Sequence, residues 1–328
     1  MKDTLALINE AQKIVIIQAE NPDGDSIGSA LALEEILGDA GKEVFLYCPV
    51  DIPKYLRYIA GWDRITSDFE FSADAAIIVD TTSSILLKKV LDVEAIRNFL
   101  EQKPVAVFDH HISEKDLPFE VLEDTEPAAV STGEVIYDFC KANKLALNAQ
   151  AATNLFITIN SDTLGLTTEN VSEKQFKICA DLVALGANPA EIENARRELM
   201  KKQPEILEYK GELLQRVEYY LDGRLALVHV PFEEIAKYSD KYNPTMLVLD
   251  EMRLVIGVDV AIGIKTYPDE KLTGKLRSNI PISETIAGYF GGGGHQYAAG
   301  FRIYEPYDDF IPELVQAVDK ALKEHDGE

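Results

Sequence analysis

The sequence predicts an α/β protein: an N-terminal, mainly parallel sheet with helices on both faces, a helical connector, and a smaller C-terminal α/β domain. Two observations carry the first sheet. Short β-rich runs, KIVIIQA (13–19), EVFLY (43–47), AAIIVD (75–80) and PVAVFD (104–109), alternate with segments of helical spacing. These runs are almost continuously apolar, the pattern of strands buried on both faces. The third observation is a change of texture near Glu218, after which RLALVHV, RLVIGVDVAIGIKTY and KLTGKLRS read as strands of a second sheet. The expected boundaries are 1–190, 191–217 and 218–328.

The elements follow in order. Ser29–Ala40 has helical spacing and is stopped by Gly41. Helical patterns dominate from Thr132 to Arg216, including TGEVIYDFCKAN and AQAATNLFITIN. The stretch from Glu191 to Val217 is highly charged and lacks a clear strand, so it is read as the connector. A closing helix is expected over Asp308–Glu324, after a glycine-rich segment.

At 328 residues the chain has room for about two domains. Its 56 acidic against 32 basic side chains leave a formal charge of −24. Such a surface repels long polyanions and excludes extended duplex nucleic acid as a partner, while a short anion stays accessible through local cations or metal ions. Cys48, Cys140 and Cys179 are widely spaced, with no CxxC pair, and read as reduced core residues. No apolar run approaches the ~18 residues of a membrane span, and the charged start MKDTLALINEAQK does not resemble a signal peptide. The expected location is the cytoplasm, with no membrane partner.

Chemistry concentrates where strands end. In open parallel sheets ligands gather beyond the carboxyl ends of the strands. Asp23 and Asp25 lie in Asn21-Pro-Asp-Gly-Asp25 after the first run. Read alone, this is a βα turn or a pair of cation ligands; an EF-hand is excluded because it needs glycine at Ser26 and glutamate at Ala32. Asp80, read alone, is a helix N-cap. Asp109-His110-His111 ends another strand, where two imidazoles need partners such as a metal or a phosphate. Asp162 follows an apolar helical segment. Carboxylates with an imidazole suit hard divalent cations, Mn²⁺ or Mg²⁺, better than zinc. A second cluster, Leu276-Arg-Ser278 with Phe290-Gly-Gly-Gly-Gly-His295, offers backbone N–H groups and a guanidinium to an anion. It lacks the GK[ST] of a P-loop.

Together NPDGDSIGS, VDTTSS, FDHH, NSDT and LRS with GGGGHQYAAG resemble the DHH/DHHA1 phosphoesterases, in particular the short oligoribonuclease and pAp phosphatase branch. The resemblance implies roles. Asp25, Asp80, His110 and Asp162 would hold one Mn²⁺, with Asp80 bridging to a second ion shared with Asp23. Asp109 would orient the metal site, and His111 would contact the scissile phosphate or protonate the leaving oxygen. Arg277, Ser278, Gly291, Gly292, Gly293, Gly294 and His295 would grip the other phosphate or nucleotide end of the substrate. The two domains would enclose a cleft. The implied activity is Mn²⁺-dependent hydrolysis of short oligonucleotides or 3′-phosphoadenosine 5′-phosphate by metal-hydroxide attack on phosphorus, with Mg²⁺ as the alternative ion and a homodimer as the assembly.

One position departs from the pattern. The family places a histidine four residues before Asp23, where this chain has Ala19. The first ion would lose an imidazole, and the alternative reading is a nucleotide-binding protein of the same fold with impaired catalysis. Gln18 and Glu20 flank the gap, but on a strand they point away from position 19.

Overall fold

The computed structural model describes residues 2–111, 116–239 and 242–327. The chain divides into two compact units, residues 1–201 and 202–328.

The first unit holds a five-stranded sheet: β1 (Lys13–Ile17), β2 (Glu43–Tyr47), β3 (Ala75–Val79), β4 (Val105–Asp109) and β5 (Leu122–Thr125), ordered β2-β1-β3-β4-β5. All the pairings are parallel. Alternation explains its two cores. Ile14, Ile16, Ile77, Val79, Ala106 and Phe108 pack on one face against the helices Gly24–Asp39, Thr132–Asn143 and Ala149–Asp162. Val15, Ile17, Ala76, Ile78 and Val107 pack on the other against the helix Glu94–Gln102. The four apolar runs appear as strands; β5, only four residues long and polar in sequence, has no such signal.

The first long helix starts at Gly24, five residues before the expected Ser29. Asp23 is its N-cap, accepting from the N–H groups of Asp25 and Ser26 at 3.0 Å, while the Ser26 hydroxyl accepts from the Asp23 N–H. The Asn-Pro-Asp-Gly signature of a turn is thus a capping box. It places Asp25 in the first helical turn, fully buried.

The expected connector is not one element. It contains all but the first two residues of the helix Pro189–Leu199, and the helix Pro204–Gln215, which fall in different units. Pro204 cannot donate into a preceding turn and starts a new helix.

The second unit has a six-stranded mixed sheet: β6 (Glu218–Tyr220), β7 (Leu225–Val230), β8 (Val260–Thr266), β9 (Lys271–Ser278), β10 (Gly293–His295) and β11 (Ala298–Tyr304), ordered β10-β11-β9-β8-β7-β6. The run expected as one strand over 253–267 is strand only from Val260. Its first residues end the helix Leu249–Arg253 and turn at Gly257, whose φ of +87° suits glycine. The closing helix, Tyr307–Asp326, buries Phe310, Leu314 and Val318 against the sheet.

Candidate metal centre

The carboxyl ends of β1, β3 and β4, with two helix termini, bring the predicted acids and histidines of the first unit together. His110 Nε2 lies 3.2 Å from an oxygen of Asp162, 3.6 Å from Asp25 and 3.8 Å from Asp80. Ligand atoms around a cation with bonds of about 2.1 Å sit roughly 3 Å apart when adjacent. Two overlapping groups could hold an ion: Asp25, His110 and Asp162, and Asp80, His110 and His111.

Each side chain is placed by local structure. Asp25 accepts from the backbone N–H groups of Thr132 (2.7 Å) and Gly133 (3.2 Å) and from the Ser29 hydroxyl (3.3 Å). Its carboxylate therefore sits on the N-terminus of the helix Thr132–Asn143, where free N–H groups favour an anion. Asp80 is not a helix N-cap. It turns the chain after β3 with φ +67°, and its N–H donates to Phe108 O. Its carboxylate accepts from the Thr132 hydroxyl at 2.9 Å, so Thr132 serves both acids. Asp162 ends its helix and stays partly open to solvent. Asp23 stands at the entry of its own helix, its carboxylate turned onto the N–H groups of Asp25 and Ser26.

Asp109 works on the histidines. It is fully buried, and its Oδ1 accepts from His110 N (2.9 Å), His111 N (3.2 Å) and the His111 ring at Nδ1 (2.7 Å), while Oδ2 accepts from the Thr82 hydroxyl. Burial pushes its pKa up, but the His111 hydrogen bonds prevail and hold it below the usual carboxylate range. His111 Nδ1 is thereby engaged, and Nε2, on a half-exposed ring, makes no hydrogen bond among the described residues. His110 Nδ1 lies 3.4 Å from Ala129 O, which leaves Nε2 as the atom facing the acids.

The electrostatics show that the site fits a cation. Burial and the charge of Asp162 raise Asp25 to about 7. Burial, then Asp25, Asp23 and Asp162, push Asp80 well above the carboxylate range. Asp23 is raised in the same way by desolvation and by Asp162. For His110, burial lowers the pKa but Asp162 and Asp25 lift it to about 9. His110 Nε2 is buried without an aligned hydrogen bond although three carboxylates surround it. Buried like charges around an unbonded ring nitrogen are compensated by a divalent cation.

At the departing position, Ala19 is buried just beyond β1, and Cys48 Sγ donates to its carbonyl at 3.6 Å. Glu20 cannot fill the gap, since its carboxylate accepts from the Lys89 N–H. Gln18 is fully buried, and neither of its amide atoms has a hydrogen-bond partner among the described residues.

The second predicted cluster lies in the other unit and divides by role. Ser278 is buried, with its hydroxyl donating to Ile280 O (2.7 Å) and touching Ser283 Oγ (2.8 Å), so it ties the end of β9 to the next helix and presents no hydroxyl to a ligand. The glycine run is not simply a loop, because Gly293–His295 forms the edge strand β10. A Cβ at Gly292 would strike Gly300 O, and one at Gly294 would meet Ala298 O, so the chain itself requires these two glycines. Gly291 and Gly293 face open space. Arg277 is half-buried, one N–H donating to Leu276 O. The His295 side chain lies outside the described residues.

Residues missed from sequence are Thr132 and Thr82, which donate to the buried acids. A hydroxyl at a helix start reads only as a cap, and the pairing of Thr132 with Asp80 spans 52 positions.

A parallel sheet with acids and histidines at its carboxyl edge, joined in one chain to a mixed-sheet domain, defines a class of metal-dependent phosphoesterases. The first unit matches the DHH family, N-terminal domain, over residues 13–186, and the second matches the DHHA1 domain over residues 237–324. The chain belongs to the DHH family. It is 27% identical over 312 residues to the bifunctional oligoribonuclease and PAP phosphatase NrnA of Thermus thermophilus, covering 94% of this chain and 90% of that protein. The NrnA of Bacillus subtilis is 22% identical over 316 residues, covering 95% and 96%. An exopolyphosphatase-related protein from Bacteroides fragilis shares the fold, with a TM-score of 0.83 at 21% identity over 99% of this chain and 95% of that one. No helix among the described residues is long and apolar enough to cross a membrane.

Proposed function

We propose that the protein is a divalent-metal phosphohydrolase that releases mononucleotides from short oligoribonucleotides and phosphate from 3′-phosphoadenosine 5′-phosphate, with Mn²⁺ as the working ion. The observation that carries this reading is the convergence of three carboxylates on His110 Nε2. Asp25, Asp80, His110 and Asp162 would hold one ion, and Asp23 with Asp80 would hold a second. A cation held there supplies Lewis-acid polarisation of a phosphoryl oxygen. The protein's own part is positioning and proton handling. Asp109 holds the His111 ring through Nδ1, so Nε2 is the atom offered to the leaving oxygen, and Asp109 stabilises the ring when it carries charge. The relatives named as oligoribonucleases and PAP phosphatases support the substrate class.

The test is release of mononucleotide from pApA and 2–5-mer RNA, and of phosphate from pAp, with Mn²⁺ or Mg²⁺. Turnover is expected with Mn²⁺ and loss of at least a hundredfold in Asp80→Asn. No release from any substrate would sink the reading.

The buried methyl group of Ala19 favours a second reading, a nucleotide-binding protein with impaired turnover. It requires calorimetric binding of pAp without release of phosphate, and a gain of both Mn²⁺ stoichiometry and turnover in Ala19→His.

A further inference from the structure

Glu134 is fully buried in the first turn of the helix Thr132–Asn143 and is not among the side chains that could hold an ion. A carboxylate in such a place is costly unless its oxygens are matched. Its Oε2 accepts from the Val130 N–H (3.0 Å) and from the Gln175 side-chain amide (2.9 Å), and Lys174 Nζ stands 2.6 Å from Oε1. Gln175 is itself buried and closes the capping box of the helix Glu173–Ala184 with Ser172. Glu134 is therefore held on one side by a neighbouring helix, and on the other it holds a single backbone N–H.

That N–H belongs to the peptide that orients His110. The Val130 N–H and the Ala129 carbonyl share one trans peptide, so they point in opposite directions. With the N–H turned onto Glu134, the carbonyl is turned onto His110, 3.4 Å from Nδ1. A carbonyl only accepts, so Nδ1 keeps its proton and Nε2 is the nitrogen able to bind a cation. Rotating this peptide would break both bonds at once. The residues that follow it serve the acids, since Thr132 and Gly133 donate to Asp25 and the Thr132 hydroxyl donates to Asp80. An N–H bonded to a charged oxygen makes a stronger bond than one to a neutral oxygen, and it polarises the peptide so that its carbonyl accepts better.

We propose that Glu134 is a positioning residue for the metal centre, acting on His110 through the Ala129–Val130 peptide, which it holds and polarises so that Nδ1 stays protonated and Nε2 stays turned toward the acids. The inference rests on the metal-centre reading above and deepens it. An outer partner of this kind sets the orientation and basicity of a ligating imidazole without touching the ion. A residue that only filled space between two helices would need neither a buried charge nor a cation beside it.

The experiment has a metal-free arm and a metal arm, both on the full-length protein. In EDTA the proton on His110 Nδ1, followed by ¹H–¹⁵N NMR and assigned by its absence in His110→Gln, should be visible in the parent. In Glu134→Gln, which keeps the volume and an acceptor oxygen, it should exchange with water several-fold faster. Mn²⁺ affinity by calorimetry at constant pH should fall several-fold in Glu134→Gln and by about tenfold or more in Glu134→Leu, the loss usual for an outer partner of a metal-bound histidine. In a His110→Gln background the same changes should alter Mn²⁺ affinity less than about twofold, because the peptide then has no imidazole to orient. A purely structural role would lower the urea midpoint and act equally in both backgrounds. The proposal is overturned if Glu134→Gln leaves the proton exchange as in the parent, if a protein that binds Mn²⁺ binds it equally in both Glu134 variants, or if the loss of affinity is the same with and without His110. A parent that takes up no Mn²⁺, yet carries an Nδ1 proton whose exchange depends on Glu134, would refute the metal reading and leave the positioning of His110 standing.

Discussion

Asp25 and His110 face each other across less than 4 Å, and their titration has consequences for stability. An unfolded aspartate loses its proton near pH 3.9, whereas Asp25 in the folded, metal-free site holds it to about 7. This residue's contribution to stability is therefore greatest below about pH 4 and declines as pH rises through 7. His110, raised from 6.5 to about 9, acts in the same direction: its contribution is complete below pH 6.5 and is lost as pH rises through 9. A divalent cation must displace these protons, so its stabilising effect grows as they leave. At a fixed, subsaturating Mn²⁺ concentration the rise in thermal midpoint should be larger at pH 8 than at pH 6. Asp25→Asn should remove most of it. A midpoint shift that is absent, or equal at both pH values, would contradict the arrangement. The sequence showed which residue types gather at the strand ends, since Asp-His-His and paired aspartates each follow an apolar run. It could not show that Asp80 takes a left-handed conformation, because aspartate tolerates either region and the neighbouring Thr-Thr-Ser-Ser suggests a cap.

At the scale of elements, the helices Gly24–Asp39 and Ala149–Asp162 pack closely enough to carry Asp25 at the start of one and Asp162 at the end of the other into a single site. Glycine makes this approach possible. A Cβ at Gly28 would lie 2.7 Å from Thr158 Cγ2 and 2.9 Å from Asn154 O, and one at Gly133 would strike the Thr158 side chain. Three helices thus meet around Thr158, which is fully buried. Gly28→Ala must push against backbone rather than a flexible side-chain tip, at a cost of about 1–3 kcal/mol. The expected result is a lower urea midpoint with an unchanged slope, and weaker Mn²⁺ binding by calorimetry because the two acids are spread. An unchanged midpoint and Mn²⁺ affinity would show that the contact is not needed. Helix spacing was legible from 29 onward, where apolar periodicity is regular. The first turn was not, because a capping box and a βα turn use the same residues. The strand β10 was hidden for a related reason: Gly293–His295 pairs with Ala298–Gly300 through backbone groups alone, and glycine carries no strand signal.

Over the whole molecule, charge opposes the compact state. The net charge of −24 repels itself when the chain folds, so screening by salt stabilises the fold. The acid cluster at the strand ends is the local concentration of that repulsion, because Asp25, Asp80 and Asp162 all face His110 Nε2. Raising KCl from 50 to 500 mM should therefore increase the thermal midpoint of the metal-free protein. A divalent cation acts on the acid cluster itself rather than on the surface at large, so at the same ionic strength Mn²⁺ should raise the midpoint further than KCl does. A midpoint that falls or stays level with KCl would show that the surface is not self-repelling, and equal midpoints with Mn²⁺ and KCl at matched ionic strength would show that the cluster gathers no cation.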